Sequence, residues 1–235
     1  MPATGTLYCL PVPLSENALH TIPEEAKQKA ITLKYFFVEE LKTARRFLKA
    51  ISREVNIDEI RFEVVNEHTS ADTSKVKEWL KAGHDVGLMS EAGCPAVADP
   101  GSAVVRAAHQ VGAEVIPYTG PNSILLALIA SGLQGQRFQF VGYLPVKPNE
   151  RSKAIRELET ESQRKQQTQI FIETPYRNNN MIEDLCKNCK GNTLLTIGVD
   201  ITGPEGWIKT KTIGDWNQQR PDIHKRPAVF LILAS

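Results

Sequence analysis

Apolar and polar positions in the first half of the chain switch repeatedly between a strand-like and a helix-like spacing. Thr6 to Leu10 is a short apolar run that ends at Pro11, a natural strand end. Tyr35 to Val38 is a second such run. Leu41 to Ile51 reads as a helix, because Leu41, Ala44, Phe47, Leu48 and Ile51 recur at helical spacing. Arg61 to Val65 predicts a strand, Thr73 to Ala82 a helix and Val86 to Met89 a strand. After the loop Ser90 to Gly101, Ser102 to Val111 predicts a helix, with Ser102 as its N-cap and Gly112 just past its end. Glu114 to Pro117 is a further strand. This alternation argues for an α/β domain with a largely parallel sheet.

The second half has a different texture. Thr119-Gly120-Pro121-Asn122 is a turn cluster and marks a domain junction, giving domains 1–118 and 119–235. Asn122 or Ser123 can cap a helix running to about Ser131, with Gly132 beyond it. Phe138 to Val141 and Gln169 to Ile172 read as strands around a polar helix, Arg151 to Gln163. Met181 to Cys186 is helical, with Asn178-Asn179-Asn180 as the turn into it. Leu194 to Val199, Trp207 to Ile213 and Val229 to Leu233 are strands. An ending in strands implies a mixed sheet and an α+β character.

Size supports two domains: 235 residues divide into two of about 110 to 120. At 41% hydrophobic and 23% charged, the chain can bury real cores. The longest apolar run, Ile124 to Ala130, falls far short of the roughly 20 residues that span a bilayer. The N-terminus lacks the profile of a secretion signal, so the chain reads as soluble and cytoplasmic. Cys9, Cys94, Cys186 and Cys189 do not form a disulfide framework, and one CxxC with no partner ligands favours plain thiols near a helix end. Residues 1–118 hold 13 Lys/Arg against 16 Asp/Glu, and residues 119–235 hold 15 against 11. Neither half is basic enough to announce nucleic-acid binding, so any RNA must meet a local patch.

Ser90-Glu91-Ala92-Gly93-Cys94-Pro95-Ala96-Val97-Ala98-Asp99-Pro100-Gly101 carries the most chemistry. It follows an apolar strand and precedes a helix, where open α/β sheets bind ligands. Two Pro and two Gly specify a tight path, and Gly93 lets a backbone amide approach a ligand. Asp99 and Glu91 are acceptors for a cationic or hydroxyl-rich ligand. A long connection with no ligand is the alternative reading. Dinucleotide (G-x-G-x-x-G), P-loop and nucleophile-elbow motifs are absent, and the five His are scattered without metal spacing.

The loop resembles the S-D-A-G-x-P-x-x-x-D-P-G signature of the small-subunit rRNA ribose methyltransferase I family. Other stretches agree in order. Pro117 to Ser123, with Ala130-Ser131-Gly132-Leu133, resembles P-x-P-G-P-S-A and A-S-G-L. Arg137 to Pro145 resembles R-F-x-F-x-G-F-L-P, and Phe171 to Arg177 resembles F-Y-E-S-P-H-R. Asn66-Glu67 is similar to the Asn-Glu after that family's third strand. The resemblance runs from about residue 5 to residue 185.

This resemblance implies a two-domain tetrapyrrole methylase fold, with a mainly parallel N-terminal α/β domain and a mixed-sheet C-terminal domain. It implies a homodimer and an S-adenosylmethionine donor bound in the cleft between domains, with no metal. Carried over residue by residue, the donor-binding set is Pro11, Ser90, Glu91, Ala92, Gly93, Ala96, Val97, Asp99, Thr119, Gly120, Ser123, Phe171, Ile172, Glu173, Pro227 and Ala228. Glu39, Arg45 and Asp99 are the candidate catalytic residues. Lys42, Arg45, Arg46, Lys49 and Arg53 fall within an arc of roughly 100° on one helix, as a possible RNA face; a solvated surface is the alternative. Lys147, Arg151, Lys153 and Arg156 form a looser second patch, diluted by Glu150 and Glu157, for which solvated surface is the favoured reading. Trp207 and Trp216 suit either base stacking or core packing, and His68 is a candidate base or an exposed loop residue.

The chain also departs from the family. Ser15 stands where the pattern P-T-P-I-G-N has glycine, and Lys42 where E-D-T-R-x-T-R has its first arginine. Val199 to Glu205 replaces R-E-L-T-K, and the chain is expected to stop after the second domain. Three functions fit: methylation of a ribose in small-subunit rRNA, methylation of a small molecule such as a tetrapyrrole, or donor binding without turnover.

Overall fold

In the computed structural model, residues 4–65 and 73–234 are described. Asn66-Glu67 and His68 lie outside the described residues. The chain divides into two units, Met1–Asn122 and Ser123–Ser235.

In the first unit, β1 (Leu7–Cys9), β2 (Tyr35–Val38), β3 (Arg61–Val64), β4 (Val86–Met89) and β5 (Val115–Pro117) form one sheet in the order β3-β2-β4-β1-β5. Every pairing in it is parallel. Alternation sorts the side chains of β2 onto two faces. Phe36 and Val38 join the core beneath α1 (Glu24–Thr32) and α2 (Leu41–Ile51). Phe37 joins the core beneath α3 (Ser74–Lys81) and α4 (Ser102–Gln110). Both faces are thereby covered, as a parallel sheet requires. The chain leaves β1 toward the β2 side and leaves β4 toward the β5 side. These neighbouring strands therefore send their connections in opposite directions, which opens a crevice at their carboxyl ends.

Local chemistry explains the element boundaries. Glu40 caps α2, its carboxylate accepting the Lys42 amide at 2.7 Å. Helix α4 begins at Ser102 itself with no side-chain cap, which corrects the expected Ser102 N-cap. Helix α1 has no counterpart in the sequence reading, because its buried residues are only Ala26 and Ala30 and it shows no large apolar stripe.

In the second unit, β6 (Phe138–Tyr143), β7 (Thr168–Glu173), β8 (Leu194–Val199), β9 (Trp207–Thr212) and β10 (Ala228–Leu233) take the order β6-β7-β10-β8-β9. The sheet is mixed: β6 and β7 are parallel and the remaining pairings antiparallel. Helix α5 (Ser123–Ser131) belongs to the core on one face, with Ile124, Ala127 and Leu128 packed on Ile170, Val229 and Leu231. Helices α6 (Pro148–Lys165), α7 (Asn178–Asn188) and α8 (Ile213–Gln218) belong to the other, around Phe171, Ile197 and Phe230.

Helix α6 is longer than its apolar pattern because Pro148 starts it at N1 and Gln166 closes it in the left-handed region. Asn178 to Asn180 form the first turn of α7 and follow a short 3-10 turn, Pro175–Arg177. The strand expected over Trp207 to Ile213 forms as β9 and ends one residue earlier, at Thr212. Thr212 accepts the Asp215 amide at 3.1 Å and starts α8 there.

Candidate functional site

Three loops meet at the carboxyl ends of β4, β1 and β5, the centre and edge of the parallel sheet. Val12 and Gly93 exchange two backbone hydrogen bonds, Val12 N–H to Gly93 O at 2.9 Å and Gly93 N–H to Val12 O at 3.1 Å. This isolated bridge joins the loop after β1 to the loop after β4. Gly93 has φ +79°, and a Cβ there would stand 3.1 Å from the Leu14 side chain and 3.3 Å from the Pro121 carbonyl. The amide expected to face a ligand is therefore spent within the protein. The loop after β5 closes in from the other side: a Cβ on Gly120 would fall 2.1 Å from the Pro11 Cβ. Only glycine permits this approach. The Cys94 thiol reaches the Pro121 carbonyl at 3.5 Å.

Asp99 organises the second half of the long loop. Its Oδ1 accepts the Ala96 amide at 3.0 Å and the Gly101 amide at 2.6 Å. Ala96 and Ala98 both have positive φ, at 66° and 62°, a conformation that alanine holds only when its surroundings impose it. Asp99 Oδ2 is buried and has no hydrogen-bond partner among the described residues. Burial raises the Asp99 carboxyl above its ordinary range, although the Gly101, Ala96 and Val97 amides pull it down. Burial and the charge of Asp99 push the Cys9 thiol, at the end of β1, up to about 11. Buried Ser90 donates to the Ala92 and Gly93 carbonyls at 3.1 and 3.4 Å. Glu91, Ala92 and Val97 are exposed on the rim, as is Thr119.

Glu39, after β2, turns to this loop: its Oε2 accepts the Glu91 amide at 2.7 Å. Arg45 does not join the three loops. It stands on exposed α2, its guanidinium 5.7 Å from the Phe62 ring centroid. Lys42, Arg46, Lys49 and Arg53 are exposed with it. Arg46 pairs with Glu16, and Lys49 donates to the Arg53 carbonyl at 3.1 Å.

In the second unit, register unites stretches that the sequence separates. Ala228 pairs with Glu173, Val229 with Ile172 and Phe230 with Phe171, so both donor-binding stretches of this unit lie at one end of the sheet. Exposed Pro227 accepts the Asp200 amide at 3.0 Å. The Glu173 side chain is 0% exposed; its Oε1 accepts the Thr174 amide at 2.6 Å and an Arg177 N–H at 2.7 Å. Burial works to raise its carboxyl, but the Arg177 and Thr174 bonds outweigh it and hold it below the usual range. Glu173 Oε2, Arg177 Nε and Asn178 Oδ1 are buried without hydrogen-bond partners among the described residues. Asp200, at φ 44°, holds the Arg226 guanidinium at 2.6 Å. Ser123 is the first residue of α5 and is not part of this strand pairing.

Arg177, Asn178, Asp200 and Arg226 had no assigned role in the sequence. The signal was present for Arg177, the last residue of a recognised stretch, but not for the Asp200–Arg226 pair, which only the fold brings together. The second basic patch does not survive as one. Arg151 is 5% exposed and held by Asp184 at 2.6 Å, Lys147 and Lys153 pair with Glu150 and Glu157, and Arg156 donates to Asn188. Trp216 is core, 2% exposed, with its indole N–H on the Leu195 carbonyl at 2.8 Å, and Trp207 packs beside it. Cys186 and Cys189 pack against that same core. Among the described residues, no cluster of His, Cys, Asp and Glu is placed to hold a metal ion.

No family model matches the chain. Curated proteins do. The chain is 34% identical over 177 residues to the "Ribosomal RNA small subunit methyltransferase I" of Bacillus subtilis (strain 168), a match covering 74% of this chain and 56% of that protein. It is 30% identical over 231 residues to the protein of the same name from Escherichia coli O157:H7, covering 97% of this chain and 77% of that one. Among solved structures, the methyltransferase CobJ matches with a TM-score of 0.63 at 17% identity, over 99% of this chain and all of that one, a likeness of fold. The extent of the Escherichia coli match, together with the ordered loops, settles the kinship: the chain belongs to the ribosomal RNA small subunit methyltransferase I family and is an S-adenosylmethionine-dependent methyltransferase.

Proposed function

We propose that this chain transfers a methyl group to a ribose 2′-hydroxyl of small-subunit ribosomal RNA. The observation that carries the reading is the meeting of the Pro11, Ser90–Gly101 and Thr119–Gly120 loops at the carboxyl ends of β1, β4 and β5, clasped by Val12 and Gly93. The acceptor is supported by the relatives, whose names give small-subunit ribosomal RNA. The likeness to CobJ is one of fold and carries no acceptor.

S-adenosylmethionine supplies an already activated methyl group, so the protein's work is alignment rather than activation. The residues fit such a ligand. Asp99 Oδ2 and Glu173 Oε2 are buried acceptors without partners among the described residues, and the donor offers an ammonium and hydroxyls. In the first unit Pro11, Ser90 to Gly93, Ala96, Val97, Asp99, Thr119 and Gly120 would hold it. In the second, Ser123, Phe171 to Glu173, Pro227 and Ala228 would do so. Glu39 and Asp99 fix the loop through its amides. Asp99 retains an acceptor oxygen for a hydroxyl proton. Arg45, cationic and exposed, suits a phosphate or the charge that develops on the acceptor oxygen. Lys42, Arg46, Lys49 and Arg53 extend that positive surface along α2.

We propose further that the protein is a cytoplasmic homodimer. Leu125 and Ile129, one turn apart on α5, are 46% and 79% exposed, which supports a partner there.

Calorimetry with S-adenosylmethionine, then labelled methyl transfer to small subunits lacking the modification, tests the reading. One donor per chain and ribose labelling that Arg45→Ala abolishes are expected. Donor binding without transfer to ribosomal RNA would remove the acceptor, and no donor binding by folded protein would remove the whole reading.

A further inference from the structure

The second unit carries an exposed aromatic ring that neither its core nor the donor residues use. Tyr176, in the turn after β7, is 69% exposed. Lys225 Nζ stands over the ring, 6.0 Å from its centroid, and the His224 ring meets its edge at 6.1 Å and 73°.

The backbone builds this arrangement at a cost. Lys225 has φ +63°, a left-handed conformation that lysine disfavours. Its amide donates to the Pro175 carbonyl at 3.0 Å, tying the segment before β10 to the turn that carries Tyr176. The neighbouring charges are already matched. Glu173 holds Arg177, Asp200 holds Arg226, and Asp222 accepts from Asn179 and the His224 amide. Lys225 is exposed and makes no ion pair among the described residues. An exposed ring bordered by an unmatched cation and an imidazole is how proteins take an unpaired nucleobase with its phosphate. A membrane or apolar partner would favour apolar groups against the ring, whereas the groups that meet it are the His224 imidazole and the Lys225 ammonium.

We infer that Tyr176, with Lys225 and His224, is a stacking platform for an unpaired base of the RNA substrate. This rests on the RNA reading above and adds to it a contact outside the α2 stripe.

The test is fluorescence anisotropy with a short labelled single-stranded oligoribonucleotide taken from small-subunit ribosomal RNA, beside a duplex of the same sequence. Tyr176→Ala should weaken single-strand binding by roughly 5- to 150-fold, and Tyr176→Trp should preserve it. Lys225→Gly should lower the slope of log affinity against log salt by about 0.7. Its unfolding midpoint should not fall, since glycine accepts the left-handed backbone. Donor binding by all three variants should match wild type. Undiminished affinity of Tyr176→Ala in a protein that binds RNA would overturn the platform and leave the proposed function standing. Undiminished affinity with a change in sedimentation would assign the ring to a second copy of the chain. Failure of the wild type to bind RNA would overturn both readings.

Discussion

Ala228 stands directly opposite Glu173 in the antiparallel pairing of β10 with β7. The last strand of the chain thereby delivers its first residues to the acid that ends β7. That acid is wholly enclosed, and Arg177 partners it from the turn that follows.

Replacing Glu173 with glutamine should cost about 1.5 to 3 kcal/mol at neutral pH, the range for a hydrogen bond to a charged group. The native carboxyl is held below its ordinary range, so its stabilisation is complete above the unfolded value, near about pH 4.3, and fades as pH falls through the lower native value. Urea unfolding across the acid limb should therefore show a shallower pH dependence in Glu173→Gln than in wild type.

Asp99 has the opposite sign. Burial raises its carboxyl, so the native state loses stability as pH rises from the ordinary aspartate range through the higher native value. Asp99→Asn should keep an acceptor for the Ala96 and Gly101 amides and lose that slope. Asp99→Ala should release the left-handed Ala96 and Ala98 and cost about 1.5 to 3 kcal/mol. Thermal melts of both variants between acid and neutral pH distinguish the two effects.

The contact between Gly120 and Pro11 predicts a coupled pair. Gly120→Ala should destabilise the protein and lower donor affinity, because its new Cβ overlaps the Pro11 ring. Pro11→Gly removes that ring, and the double variant should recover at least about 1 kcal/mol relative to the sum of the single changes. Additive single effects in denaturant melts would contradict the contact.

The thiols should be inert. Burial pushes Cys189 up to about 12 and Cys9 up to about 11, and Cys94 and Cys186 are raised as well. Since the thiolate is the reacting species, labelling by an aromatic disulfide at pH 8 should be slow in folded protein and fast in denaturant. Fast labelling of folded protein would place at least one thiol outside its packed position.

Strands β2, β4 and β8 and helix α2 were legible to the residue, because each combines a strong apolar rhythm with a clear break. Helix α1 was not, since alanines bury it without a pattern, and α8 was hidden by the Thr212 cap inside a strand-like run. The long loop announced itself by its Gly, Pro and Asp. The partners that hold it did not, because Val12 and Pro11 meet Gly93 and Gly120 only through the crossing of parallel strands. Arg151 departs from the solvated surface expected of its neighbours, because charge in a sequence does not reveal that Asp184 meets it inside the fold.

The bridge between Val12 and Gly93 makes loop length, as well as loop composition, part of the design. Val12 lies only three residues beyond the end of β1, and Gly93 four beyond the end of β4. One residue inserted between Cys9 and Val12, or between Met89 and Gly93, would turn the bridge's hydrogen bonds away from each other and swing both loops out of register. Beyond the clasp, at exposed Glu16 and Asn17, the chain is under no such restriction. Variation in length is therefore tolerated on one side of Val12 and forbidden on the other.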